Sequence, residues 1–491
     1  MPNNKGFARK TKIVCTLGPA SNTPAMIERL IKAGMNIARL NLSHGTHEEH
    51  AALVKTVRDL STKLQTSVAV LIDLPGPKYR TGQLKNGSVE LNKGSTFILT
   101  TRAVAGDGTA VSINLPNLPR DVKVGDRVLL DDGAMVLRVL EKSETDVRCR
   151  VIAGGMLTPN RGVAVPGMRP SSPFITESFR NHLAFAIKQN PDYIALSFIH
   201  SSEDINQARA IIREAGADFP IIPKIERGEA LKVLDAILEA SDGAMVARGD
   251  LGVDIPLKRI PLVQKEIIRK CNRAGKAVIT ATQMLESMIN NMLPTRAEVT
   301  DIANAIFDGT DAIMLSGETS IGKYPAQAVT MMAQIAKETE GKLPYDRWLT
   351  GRGAWVGAVT DELISYNACY TAERLRAAAI VAFTRSGSTA RRVSRYRPRI
   401  PILGVAHNEE VKRRLQLYWG VQPVMYHVLP TVDDFFQVGA ELALKYGLAN
   451  PGDLVVITGG VPLGIAGSTN LLKVQMVTGQ QGKANPDSKA T

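Results

Sequence analysis

Eight short, almost continuously apolar runs, each followed by an amphipathic segment, restrict this chain to very few architectures. The runs are TKIVCTLG (11–18), MNIARLNL (35–42), SVAVLIDL (67–74), DYIALSF (192–198), PIIPKIE (220–226), DGAMVARGD (242–250), AVITATQM (277–284) and AIMLSGE (312–318). A strand apolar on both faces belongs in a parallel sheet with helices over it, because only there does neither face meet water. The segments between read as those helices. TPAMIERLIKAG opens on Thr23–Pro24 and stops at Gly34, a cap signal at each end. THEEHAALVKTVRDL, SSEDINQARAIIREAG, PLVQKEIIRKCNRAG and TRAEVTDIANAIFDG repeat the design. Eight such units in a row predict an α/β fold, a (β/α)8 barrel. A doubly wound open sheet is the competitor, but it seldom has eight units.

One connection breaks the rhythm. Residues 75–191 separate the third run from the fourth, far more than a helix and two turns require. Within them SVELNKGSTFILTT, DRVLLDDGAMVLRVLEK and DVRCRVIAGGML alternate with period two around Asp-Gly turns, as antiparallel strands do. Residues 76–170 are therefore expected to form an inserted all-β lid over the mouth of a barrel built from 1–75 and 171–344. Farther on, AAIVAFT, IPILGVA, VQPVMY, DLVVITGG and LLKVQMV alternate with helical stretches, predicting a C-terminal α/β domain over 345–478. The polar stretch 479–491 is expected to be disordered.

Bulk properties narrow the function. At 491 residues the chain exceeds what one core serves. Cys15, Cys149, Cys271 and Cys369 lack CxxC spacing, so neither a disulfide framework nor a zinc site is suggested and a reducing cytoplasm fits. No uninterrupted apolar run approaches the length of a membrane span, and the start (MPNNKGFARKTK) lacks the apolar stretch of a secretory signal. The expected location is cytoplasmic, without membrane association. A net charge of +13 fits a solvated basic surface, nucleic-acid binding, or steering of polyanionic metabolites. No RNA-binding signature, zinc finger or basic low-complexity tail supports the second, and no nucleic-acid partner is expected.

Chemistry on such barrels collects at the carboxyl ends of the strands, and the polar residues of the apolar runs sit there. They are Arg39, Asn41 and Ser43 on the second strand, Asp73 on the third, and Lys224 and Glu226 on the fifth. Arg248-Gly249-Asp250 end the sixth, Thr280-Ala281-Thr282-Gln283 the seventh and Ser316-Gly317-Glu318 the eighth. Arg39, Asn41 and Ser43 are spaced to share one strand face, as are Lys224 and Glu226. Buried charges are costly unless paired or metal-bound, so the ring is either a set of rim salt bridges or the receptor of an ionic ligand. Glu226 and Asp250 suit a hard divalent cation such as Mg²⁺. Lys224 and Arg39 beside them supply the positive charge that phosphoryl transfer needs. No GxxxxGK[ST] or GxGxxG occurs to hold a nucleotide. His47 and His50 read as solvated helix-face residues.

The stretches TKIVCTLGPAS, GMNIARLNLSHG, MVARGDLGVDIP, GKAVITATQMLESM and PTRAEVTDIANAIFDGTDAIMLSGETSIGKYP resemble, in order, the signature blocks of the bacterial-type pyruvate kinase family, and the resemblance spans residues 10–478. It implies transfer of the phosphoryl group of phosphoenolpyruvate to ADP, giving pyruvate and ATP in the last step of glycolysis. It further implies that Lys224 stabilises the phosphoryl group in flight, that Glu226 and Asp250 bind Mg²⁺ (or Mn²⁺), and that Arg39 faces the transferring phosphate. The Gly249 backbone and the Thr282 hydroxyl would position the substrate carboxylate. Asn41, Ser43, His44 and Arg80 would lie on the nucleotide side; His44 reads equally as a turn residue beside a helix cap. Ser316 and Glu318 would belong to the relay that protonates the enolate. Asn41, Ser43, Asp73 and the carbonyl of Leu74 resemble the family's monovalent-cation pocket.

Three departures stand out. The family's DTKGPEIR is here Asp73-Leu74-Pro75-Gly76-Pro77-Lys78-Tyr79-Arg80, so Lys78 replaces the Glu usual in K⁺-dependent members and its ammonium is expected to stand in for K⁺. Ala184, in LAFAI, occupies the place of a lysine. GMRPSSPFITESF strays from the usual return from lid to barrel. In the C-terminal domain, Thr384-Arg385-Ser386-Gly387-Ser388-Thr389 opens a helix. It reads as an ordinary cap or as a phosphate-binding turn, and the resemblance implies the loop that holds a phosphate of an activating, phosphorylated effector. Arg391, Arg392, Arg395, Arg397 and Arg399 read as subunit contact or solvated face, and the family implies a homotetramer. Two other functions stay open: a metal-dependent lyase or aldolase on pyruvate-like substrates, and RNA binding without catalysis.

Overall fold

A computed structural model describes residues 9–76, 79–426, 432–462 and 468–478. Lys78 and the stretch 479–491 lie outside them. Eight strands, Lys12–Thr16, Ile37–Asn41, Ala69–Leu74, Tyr193–Leu196, Ile221–Ile225, Gly243–Ala247, Ala277–Ala281 and Ala312–Leu315, pair in chain order and all parallel. The first closes on the last, from Lys12↔Ala312 to Cys15↔Leu315. The barrel is complete, and the open sheet is excluded. Alternation along each strand explains the continuous apolar runs. Val14, Ile37, Leu71, Ile222, Met245 and Ile279 form one buried cluster, while their neighbours Ile13, Ala38, Val70, Ile221, Ala244 and Val278 belong to another that packs under the helices. Neither strand face reaches water.

The helices begin where the sequence puts their caps. The Thr23 hydroxyl accepts from the Met26 amide at the head of Pro24–Ala33, and Gly34, at φ 123°, ends it. Thr46 and Glu49 form a capping box on His47–Lys63, and Thr295 and Glu298 form one on Arg296–Asp308.

Between the third and fourth barrel strands lie a six-stranded sheet and a two-stranded ribbon, running from Val89 to Ala164. They enclose a core of their own around Phe97, Leu99, Val128, Leu137 and Val147. The chain leaves the third strand at Gly76, where a β-carbon would meet the Ser197 carbonyl oxygen at 2.2 Å. Only glycine lets the two backbones pass this closely.

The C-terminal sheet has five strands. Ala379–Thr384, Ile402–Ala406, Val421–Met425 and Leu454–Gly460 are parallel, and Thr469–Met476 adds an antiparallel edge. Here the arginine cluster departs from expectation. Arg397 is 1% exposed and donates to Asn272 Oδ1 (2.8 Å) and the Gly309 carbonyl (2.9 Å), and it pairs with Asp311 at 2.8 Å. Arg395 reaches the Arg273 carbonyl (2.5 Å) and Glu362 (2.8 Å). Arg392 pairs with Asp361. Arg395 and Arg397 are therefore not solvated: they fasten the C-terminal domain to the base of the barrel. Arg391 and Arg392 are partly exposed, and Arg399 is half-exposed between Asp346 and Glu373. Among the described residues no helix is long and apolar enough to cross a membrane.

Candidate active site

The centre of the strand-end ring is a buried network of alternating charge. Arg39 donates to Asp73 Oδ2 through Nε (2.8 Å) and Nη2 (2.6 Å), and through Nη1 to the Thr16 hydroxyl (2.8 Å). Lys224 Nζ lies 2.8 Å from Glu226 Oε1 and 3.5 Å from Asp73 Oδ2. The Ser197 hydroxyl links the halves, accepting from Lys224 (2.9 Å) and donating to Asp73 Oδ1 (3.1 Å). Burial works against the Lys224 ammonium, but the Asp73 and Glu226 carboxylates outweigh it and raise its pKa above the ordinary lysine range. Lys224 is a fixed positive charge, unsuited to act as a base. Burial also opposes the Asp73 carboxylate, yet Lys224 and Arg39 hold it below the usual carboxylate range.

Glu226 behaves differently. It is fully buried, its Oε2 accepts from the Phe198 amide at 2.6 Å, and burial keeps its carboxyl above the usual range despite Lys224, with the charge of Asp250 adding to the rise. A divalent cation between the two carboxylates would relieve the repulsion that Glu226 meets from Asp250. No cluster of three or more His, Cys, Asp or Glu able to hold a metal occurs among the described residues. The Glu226–Asp250 pair is a donor set that Mg²⁺ accepts, since that ion takes one or two carboxylates and fills its shell with substrate oxygens and water.

Several strand-end residues lie just beyond their strands. The second strand stops at Asn41, so Ser43 is not on its face. Ser43 sits exposed in the following turn, its amide on Asn41 Oδ1 at 3.3 Å. Arg248, Gly249 and Asp250 begin a helix, Arg248–Asp254, rather than ending the sixth strand, and Gly317–Ser320 is likewise helical. Thr282 follows the seventh strand at φ 67°, a strained position for a β-branched residue. Its hydroxyl accepts from the Gly249 amide (2.8 Å) and donates to the Ala281 carbonyl (2.6 Å). The two groups expected to hold a substrate carboxylate are thus adjacent and bonded to each other. Arg248 secures this loop by donating to the Thr282 carbonyl (2.6 Å) while pairing with Asp301 (2.6 Å). Glu318, almost fully buried, accepts from the Leu285 amide (3.0 Å) and the Ser316 amide (2.7 Å), and burial raises its carboxyl. The Ser316 hydroxyl is buried without a partner.

On the expected nucleotide side, His44 is exposed in the turn after Asn41, two residues ahead of the Thr46 cap. Arg80 is anchored in the lid, its Nη1 on the Asn160 carbonyl (2.9 Å) and its amide on Asn114 Oδ1 (2.6 Å). His50 is not solvated, and His47 is only partly so. His50 is 5% exposed with Nε2 on the His44 carbonyl (2.7 Å), and His47 stacks on Phe185, ring centres 4.1 Å apart. Asn41, Asp73 and Leu74 stand together, Asn41 registered beside Asp73 across neighbouring strands. In the C-terminal turn, Gly387 (φ 88°) precedes the helix Ser388–Arg395. Thr384 and Thr389 are buried, and Thr389 shares a 2.8 Å hydrogen bond with Thr469. Arg385 and Ser386 are exposed, and Ser386 donates to Ser388 at 3.2 Å.

Thr16, Ser197 and Arg248, which the sequence reading left without a role, hydrogen-bond to Arg39, Lys224 and the Thr282 carbonyl of the candidate site. Thr16 and Ser197 are lone hydroxyls at the ends of the first and fourth apolar runs, the two strand ends not credited with polar groups; counting all eight ends would have included them.

Residues 8–329 match the family model described as pyruvate kinase, barrel domain, and residues 362–475 the model described as pyruvate kinase, alpha/beta domain. Pyruvate kinases of Staphylococcus aureus strains MRSA252 and USA300 are each 46% identical over 471 residues, covering 96% of this chain and 80% of theirs. A crystal structure of a pyruvate kinase from Cryptosporidium parvum superposes with a TM-score of 0.92 at 36% identity, over 96% of both chains. With the closed barrel, the C-terminal α/β sheet and the Lys224-centred ring in place, the chain belongs to the pyruvate kinase family and is a phosphotransferase.

Proposed function

We propose that this chain transfers the phosphoryl group of phosphoenolpyruvate to ADP, releasing pyruvate and ATP, at the ring centred on Lys224. The observation that carries the reading is the buried ammonium of Lys224, held charged between Asp73 and Glu226, bonded to Ser197 and sharing Asp73 with Arg39. Phosphoryl transfer needs positioning and charge neutralisation more than covalent chemistry. Lys224 and Arg39 present fixed positive charge where negative charge moves, and cost no reorganisation at that moment. Glu226 and Asp250 would hold Mg²⁺, or Mn²⁺, which when bound neutralises phosphate charge and orients the substrate. Thr282 and the Gly249 amide, once they exchange their mutual bond for the substrate carboxylate, fix its other end. Asn41, Ser43, His44 and Arg80 serve the nucleotide, and Ser316 and Glu318 the proton delivered to the enolate. In a coupled assay, pyruvate should appear from phosphoenolpyruvate only when ADP is supplied. Pyruvate formed from another precursor without nucleotide would instead indicate a lyase or aldolase.

The same reading extends to regulation and ions. Arg385, Ser386, Ser388 and the amides at the head of Ser388–Arg395 form a turn suited to an effector phosphate, with Thr384, Gly387 and Thr389 shaping it. Replacing Ser386 and Ser388 with Asp should abolish activation by phosphorylated metabolites and spare basal activity, since added negative charge repels a phosphate there. Activation that persists in steady-state assays would exclude the site. Asn41, Ser43, Asp73 and Leu74 are the monovalent-cation pocket in this reading, and the sequence carries Lys at position 78, where K⁺-dependent members of the family carry Glu. Near-full activity is expected in K⁺-free buffer, and K⁺ dependence in Lys78→Glu; a wild-type enzyme inactive without K⁺ would contradict this. Four free, buried cysteines support a cytoplasmic enzyme. Exposed Leu257, Leu262 and Leu293 on the barrel, and Val359 and Tyr370 on and beside Thr360–Arg374, support a homotetramer.

A further inference from the structure

The turn between the second barrel strand and the helix His47–Lys63 is held by imidazoles. His50 Nε2 is 2.7 Å from the His44 carbonyl; a carbonyl only accepts, so that nitrogen carries the proton. One turn earlier, His47 Nε2 lies 3.0 Å from His182 Nδ1 on the helix Glu177–Lys188. The His47 ring is stacked flat on Phe185 of that helix, ring centres 4.1 Å apart and planes 3° apart. His182 and Phe185 are spaced i, i+3, so both meet the same neighbour. Residues 43–46 themselves are exposed and have little packing of their own to hold them. The His47–His182 contact is thus a cross-tie between this turn and a helix more than a hundred residues away in the chain.

We propose that His47 and His182 are positioning residues for the nucleotide, a hydrogen-bonded brace that keeps the turn Asn41–Thr46 in the shape that receives ADP. The inference rests on the nucleotide-side reading of Asn41, Ser43 and His44 given above. Neither imidazole needs to touch the phosphate in transit. The brace works only while one ring accepts the proton the other donates, so it tolerates at most one charged ring. If both are protonated, no acceptor lone pair remains and two like charges face each other. Glu48 in the first turn of the His47 helix faces His47, and His50 faces both His47 and His182 while itself facing Glu49; the facing helix contributes His182 itself. Burial, with His47 and His50 nearby, lowers the His182 pKa, which favours the neutral, braced state near neutral pH.

The test is to measure binding of MgADP by calorimetry, and KM for ADP and for phosphoenolpyruvate, in wild type, His182→Ala, His182→Gln and His44→Ala. His182→Ala should weaken MgADP binding by about tenfold, the loss of one or so net hydrogen bonds, and leave KM for phosphoenolpyruvate unchanged. His182→Gln, which still offers an acceptor to His47, should recover most of the affinity. Between pH 7.5 and 5.5, wild type should lose more affinity than His182→Gln, the titration of the nucleotide itself being common to both. Unchanged MgADP affinity in His182→Ala, or an equal rise in both KM values, would overturn the brace. If His44→Ala also leaves ADP binding untouched, the nucleotide reading of the turn fails with it; if His44→Ala weakens binding and His182→Ala does not, the brace alone is wrong.

Discussion

Replacing Lys224 with Met should lower turnover by about 10³-fold or more while the Michaelis constant for phosphoenolpyruvate changes little. Removing a single preorganised donor from a site of developing charge commonly costs about 10²–10³ in turnover. Lys224 is more than a donor, being a full charge held within 2.8 Å of Glu226 and 3.5 Å of Asp73. Its charge counts most when the phosphoryl group is between donor and acceptor, so the loss should fall on kcat. Proton exchange on pyruvate, which reports the enolate step alone, should survive better than transfer. The substitution also strips two buried carboxylates of a partner, which is destabilising in itself. A thermal melt alongside the kinetics therefore separates loss of chemistry from loss of fold. Equal loss of transfer and exchange would mean that Lys224 merely holds the site together, and a raised Michaelis constant with intact turnover would make it a binding residue.

The second large effect is expected from Glu226→Gln, which should raise the Mg²⁺ concentration needed for activity and cut turnover by about 10²-fold or more. The pKa directions give this a signature beyond rate. In the metal-free protein the Glu226 carboxyl is raised by burial and by Asp250, so its charged form is disfavoured on folding. A carboxyl raised in this way costs stability as pH climbs through its unfolded range, near 4.3, up to its folded pKa, and the penalty persists above it. Asp73, held low by Lys224 and Arg39, has the opposite sign: its contribution is present above its unfolded pKa and fades as pH falls through the folded value. Glu226→Gln removes the first effect and keeps the second. Without metal, the variant should melt higher relative to wild type at neutral pH than at pH 4, and added Mg²⁺ should stabilise wild type more. Identical Mg²⁺ stabilisation of both proteins would remove Glu226 from the metal site.

How much was legible beforehand follows from the physics of each element. The barrel strands were readable because both their faces are buried, so Ile13 and Val14 alike had to be apolar. Cap residues such as Thr23 and Gly34 act within one turn of chain, and they read correctly. Element ends did not: Arg248–Asp254 is a helix although MVARGD continues an apolar run without a stop. Ser197 and Thr16 stayed unnoticed because a lone hydroxyl in an apolar stretch is ordinary until a distant charge meets it, as Lys224 meets Ser197. His47, His50, Arg395 and Arg397 were misread for one common reason. Polarity predicts exposure by default, yet each is held by a group far away in the chain or by the backbone of its own turn: Phe185, the His44 carbonyl, Arg273 and Asp311. Pairwise partners at that range leave no local pattern.

The most direct test of the account follows phosphorus itself. Wild type and Lys224→Met, each with phosphoenolpyruvate, ADP and Mg²⁺, should be watched side by side by ³¹P NMR. The account predicts that in wild type the phosphoenolpyruvate signal disappears as the γ-phosphorus of ATP grows in step, and that under the same conditions the variant leaves it standing. Phosphorus appearing as inorganic phosphate, or moving to ATP at the wild-type rate in the variant, would contradict it.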